Sequence, residues 1–117
     1  IDGFVSLRAT WRGGEMVTRP IVFEGGNLSL NASTSGAGSI RVEVQDAAGQ
    51  PLPGYTLADC PEILGDDLAL VARWRNGGDL RPLAGKPVRL RFVLQDADLY
   101  AFQFVPYQPD PPRPAGF

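Results

Sequence analysis

Histidine is absent from the 117 residues, and with it go the usual general base near neutral pH, the commonest metal ligand and every Ser-His or Cys-His nucleophile pair. Cysteine occurs once, at Cys60, so the chain forms no internal disulfide and no CxxC metal or redox site. A thiol in that position is expected to be buried and structural, and it leaves the cellular compartment undecided. Lysine is nearly missing too. Lys86 stands alone among arginines, and the formal net charge is -2. That leaves no broad basic field, so neither nucleic acid nor a membrane surface is an expected partner. No apolar run approaches the roughly 18 residues of a membrane-spanning helix. The opening IDGFVSLRAT has neither the charged start nor the apolar core of a signal peptide, and the chain reads as a piece of something longer.

What is present is a short chain, 44% hydrophobic, of a size that builds one core. Its apolar residues recur at every second position, the period of strands with one dry face. Val5, Leu7 and Ala9 alternate with Ser6 and Arg8, and Leu28, Leu30 and Ala32 alternate with Ser29 and Asn31. Ile40, Val42 and Val44 face away from Arg41, Glu43 and Gln45; Val88, Leu90, Phe92 and Leu94 face away from Arg89 and Arg91. A fifth run sets Tyr100, Phe102 and Phe104 on one face. Two weaker strands are expected in EMVTRPIVFE, interrupted by Pro20, and in DLALVARWR, where Leu68, Leu70, Ala72 and Trp74 share a face.

Between these runs lie EGGN, STSGAGS, DAAGQPLPG, RNGGD and LAGKP, turn chemistry at short intervals with no helical period of useful length. The pattern predicts an all-β fold, an antiparallel β-sandwich of jelly-roll-like form, over residues 1–105. The proline-rich residues 106–117 are expected to run extended as a C-terminal tail.

Candidate functional residues fall into groups, each with a plain structural alternative. Asp46, Asp59, Glu62, Asp66, Asp67, Asp96 and Asp98 cluster in expected loops. Such oxygen-rich loops can hold a structural calcium ion, but no calcium-loop motif is present and aspartate is also a common turn former. No cofactor and no metal site is therefore assigned. Paired carboxylates that hydrolyse a glycosidic bond must be held about 5–10 Å apart in a cleft, which a small sandwich rarely offers, so no catalytic residue is named. Trp11 in the TWRGGE turn, Tyr55 in the loop after DAAGQPLPG and Tyr107 in the tail are the aromatics free to stack on a sugar ring, or simply to pack; Trp74 and Tyr100 fall on core faces. Arg41, Arg89 and Arg91 point away from the core as a stripe, with Glu43 as an internal partner. Such a stripe is either a solvated face or a surface that docks a neighbouring domain.

The order of segments DGFVSL, TRPIVFEGGNLSLNAS, GSIRVEVQDAAGQPLPGYTLADC, GDDLALVARW and LAGKPVRLRFVLQDADLYAFQF resembles a C-terminal β-sandwich module appended to bacterial glycoside-hydrolase-like proteins, whose catalytic part is a five-bladed propeller of the invertase and levanase type. The resemblance covers about residues 2–104. It implies a non-catalytic accessory domain whose partner is the catalytic domain of the same polypeptide; the candidate exposed aromatics, Trp11, Tyr55 and Tyr107, make a polysaccharide the alternative partner. It carries over no catalytic residue. The matching turn elements, Gly49, Pro53, Gly54, Tyr55, Asp59, Cys60, Gly65 and Asp66, read as architecture, with Tyr55 expected to anchor its loop on the sheet.

Overall fold

A computed structural model describes residues 6–63, 66–75 and 77–109, with side chains described outside 6–13, 35–37 and 66–69. Val5, Gly65 and the tail from Asp110 onward lie outside the described residues, as do the side chains of Leu7, Ala9, Trp11, Asp66, Asp67 and Leu68.

The alternating runs form β1 (Ser6–Val17), β2 (Asn27–Asp46), β3 (Asp66–Val71) and β4 (Val88–Val105), with short 3-10 turns at Leu57–Asp59 and Arg81–Leu83. All pairings are antiparallel, in the order β1-β4-β2-β3, so the fold is all-β as the periodicity requires. Seven expected runs become four strands because the glycine-rich stretches of β1 and β2, and the Asp-Ala-Asp of β4, do not end strands but bend them. Thr34 pairs with Ala97 and Ser39 with Gln95, so residues 35–38 of β2 lie opposite Asp96 alone. In β1 the register slips between Arg12 and Gly14, and Gly14 has φ 76°. Extra residues of this kind kink a strand and increase its twist.

These irregularities line up across β1, β4 and β2 and fold the sheet over on itself. Phe92 and Phe102 belong to the same strand, yet their ring centroids lie 5.2 Å apart. An extended strand would hold them roughly 33 Å apart. The two layers are thus halves of the same long strands, and the core sits between them. Leu28, Leu30, Phe102 and Phe104 come from one half, and Ile40, Val42, Val44, Val88, Leu90, Phe92 and Leu94 from the other; all are buried. Phe23, from the segment after β1, stacks on Phe104 with centroids 4.1 Å apart.

Two of the sequence expectations are corrected here. Tyr100 does not share the face of Phe102 and Phe104; it is 39% exposed. The core-facing residues of β4 are Val88, Leu90, Phe92 and Leu94, then Ala97 and Leu99, then Phe102 and Phe104, so the alternation slips twice. The first slip is at Asp96, which has φ 47°. The second is at Tyr100 itself: Leu99 pairs with Ala32 and Ala101 with Asn31, leaving Tyr100 as the extra residue. Trp11, expected in a turn, lies within β1 opposite Leu99.

Candidate functional site

The loop after β2 is a cover for that strand's open edge. Asp46 starts it: its Oδ1 accepts from the backbone N–H of Ala48 at 2.9 Å and of Gln50 at 3.0 Å, and Gly49 takes φ 89° to close the turn. Farther along, Thr56 caps the first 3-10 turn by accepting from the Asp59 N–H, and its hydroxyl donates to Asp59 Oδ2 at 2.9 Å. The two loop aspartates are thereby occupied with local backbone geometry.

Each edge group of β2 in its second half is satisfied from this loop or from the segment after β3. Ile40 exchanges hydrogen bonds with Ile63, Val44 donates to the Tyr55 carbonyl and accepts from Leu52, and the Asp46 N–H donates to Gln50. At Val42, no backbone group among the described residues completes the edge. Its N–H donates to the Cys60 sulfur at 3.4 Å, and its carbonyl accepts from the Trp74 indole at 2.9 Å. Cys60 is buried, as its lone occurrence suggested, and burial pushes the thiol pKa up, partly offset by the Val42 N–H and by Arg41. Trp74 is buried as expected, although β3 ends at Val71 and Trp74 makes only an isolated bridge to Gly77.

Tyr55 is half-buried. Its ring meets Trp74 edge-on with centroids 5.4 Å apart, and its hydroxyl donates to the Asp79 carbonyl at 2.9 Å. Burial, and secondarily the charge of Asp79, raise the phenol pKa. The Asp79 carboxylate in turn takes Arg81 in a fork, Nε to Oδ1 at 3.0 Å and a terminal nitrogen to Oδ2 at 2.9 Å, which holds Asp79 below its usual carboxylate range. Arg81 lies 3.6 Å above the centroid of the Tyr107 ring. The structure therefore joins Tyr55 to Tyr107 through Asp79 and Arg81, a pair that sequence reading missed. The available signal was an aspartate two residues before Arg81, at the start of a proline-containing 3-10 turn, where an Asx-type cap is common.

Arg41, Arg89 and Arg91 do share one outer face. Val93 lies between Arg41 and Glu15 in register, Arg91 between Glu43 and Val17, and Arg89 opposite Gln45. Arg91 is neutralised on both sides, by an ion pair with Glu15 and by Glu43 at 3.6 Å. Glu43, although on the outer side, is only 4% exposed; its oxygens accept from the Gln45 amide at 2.9 Å and the Leu57 N–H at 3.2 Å. Arg89 instead donates to the carbonyls of Ala47 at 3.0 Å and Thr18 at 3.3 Å, and among the described residues no carboxylate pairs with it. Arg41 is exposed, and no carboxylate among the described residues pairs with it either.

Among the described residues no group of three or more His, Cys, Asp or Glu side chains is arranged to hold a metal ion. Nor is any helix among the described residues long and apolar enough to cross a membrane. Comparison with protein-family models, with curated proteins and with solved structures finds no match to this chain.

Proposed function

We propose that the chain is a non-catalytic β-sandwich accessory module that packs against a catalytic domain of its own polypeptide through the outer face of β1, β4 and β2. The observation that carries this reading is the pair of cations, Arg41 and Arg89, left without a carboxylate partner among the described residues on the same outer face as Val17, which is 46% exposed. Arginine interleaved with aliphatic surface is the composition favoured at protein interfaces, and the backbone carbonyls that hold Arg89 present its charge in a fixed place. The motif order supplies a glycoside hydrolase as the parent. A carbohydrate-binding role has less support, since Tyr55 is edge-packed with its hydroxyl engaged and one face of Tyr107 is covered by Arg81.

Hydroxyl-radical footprinting of this chain beside the intact polypeptide that carries it tests the docking. Val17 and Val93 label in the former and are protected in the latter. Equal labelling in both overturns the reading. The chain alone is expected to leave fructans, arabinans, xylans and chromogenic glycosides intact; turnover lost on Asp46→Asn or Asp59→Asn contradicts its non-catalytic character.

A further inference from the structure

The residues that follow β4 do not simply leave the domain. The Gly26 N–H donates to the Val105 carbonyl at 2.8 Å, and the Gln108 N–H donates to the Asn27 side-chain oxygen at 2.5 Å. Asn27 is 1% exposed, and its amide nitrogen donates to the Gly78 carbonyl at 2.9 Å, so one buried side chain joins the tail to the loop before Arg81. The Gly26 carbonyl accepts from the Leu80 N–H at 2.7 Å, completing the same connection through the backbone. The approach is close enough to demand glycine: a Cβ on Gly26 would sit 2.3 Å from the Cβ of Tyr107. Over this junction lies the Arg81 guanidinium, held by Asp79 and seated on the Tyr107 ring.

We propose that residues 105–108 are a latch. Closed, they hold the 77–81 loop down on Gly26 and Asn27, and through Asp79 that loop keeps Tyr55 and Trp74 seated over the edge of β2 at Val42. The connection is continuous, from the Tyr107 ring to Arg81, from Asp79 to the Tyr55 hydroxyl, from the Tyr55 ring to Trp74, and from Trp74 to the Val42 carbonyl. The latch closes by the exposed cation–ring contact and by the hydrogen bonds at Gly26 and Asn27, while residues 106–109 are themselves exposed, the kind of segment that opens locally at small free-energy cost. Opening would loosen the cover of an otherwise bare strand edge, the part of a sheet most apt to pair with another chain. The latch contains none of Val17, Arg41, Arg89 or Val93 of the docking face.

Hydrogen exchange followed by NMR on the full chain tests the latch. Tyr107→Ala accelerates exchange of the Gln108, Gly26 and Leu80 amides and of the Trp74 indole N–H about two- to fivefold, the range set by losing one exposed cation–ring contact. Tyr107→Phe keeps the ring and exchanges like the wild type. Arg81→Ala reproduces Tyr107→Ala, and the double substitution adds little to either. Amides of residues 90–94 in β4 are unaffected. Acceleration confined to Gln108 and Gly26, with Leu80 and Trp74 unchanged, overturns the proposal by reducing the segment to a fraying tail. So does uniform acceleration that includes residues 90–94, or a Tyr107→Phe variant that behaves like Tyr107→Ala.

Discussion

The indole N–H of Trp74 donates to the carbonyl of Val42 at 2.9 Å, so a side chain stands where the next strand's backbone would otherwise be. With the Cys60 sulfur accepting from the Val42 N–H, this closes a position on the second half of β2 that no backbone group among the described residues reaches. Edge groups left bare inside a protein are costly, and edge groups left bare outside invite aggregation.

Trp74→Phe keeps an aromatic ring at the site and removes the donor. It is expected to destabilise the chain by about 1–3 kcal/mol, the scale for leaving a buried carbonyl unsatisfied. Urea denaturation measures it, and a loss below about 0.5 kcal/mol would show that the carbonyl finds another donor.

Stability should fall on the alkaline side. The Cys60 thiol and the Tyr55 phenol both have pKa values raised in the folded state, chiefly by burial. The unfolded chain releases these protons first, the thiol near about 8.5 and the phenol near about 10, so stability is full below those values and is lost as pH rises toward the folded ones. Cys60→Ala removes the first step of the decline and Tyr55→Phe the second. A wild-type urea midpoint that stays level from pH 7 to 10.5 contradicts both.

The fold line depends on one glycine and one strained aspartate. A Cβ on Gly38 would lie 2.2 Å from the Asp96 carbonyl oxygen and 2.8 Å from that of Gln95, both backbone atoms with little room to move. Gly38→Ala is therefore expected to cost more than the roughly 1 kcal/mol that small surface changes rarely exceed. At Asp96, with φ 47°, Asp96→Gly should exceed Asp96→Ala in stability by about 1 kcal/mol. Thermal melts of the three variants check the order, and an alanine at 96 as stable as glycine would show that the bulge relaxes.

Tyr55→Ala should lower stability by about 2 kcal/mol, because the ring packs on Trp74 and the hydroxyl holds Asp79. Affinity electrophoresis against plant and microbial polysaccharides, run beside the melts, separates this role from a sugar platform. Retardation present in the wild type and lost in Tyr55→Ala without a change in melting temperature would refute the anchor.

Much of the core was legible in the chain itself. Strict alternation marked Leu28, Leu30, Ile40, Val42, Val44, Val88, Leu90, Phe92, Leu94, Phe102 and Phe104 as inward-facing, because a strand's side chains alternate whatever the strand later pairs with. The turn at Asp46 was legible for a similar reason: Asp-Ala-Ala-Gly carries its own local hydrogen bonds. What tertiary structure alone decided was the meaning of the glycines. GG in β1 and GAG in β2 carry the same local permission for a hairpin turn as for a bulge within a continuous strand, and only pairing with β4 across the fold line distinguishes them. The same pairing moved Tyr100 out of the core, since a bulge shifts the alternation by one and no residue beside it announces the slip. The grouping of Tyr55, Trp74, Asp79, Arg81 and Tyr107 was equally hidden. Its members come from three separate segments, and only the folded sheet, with the last strand ending beside Gly26, brings them together.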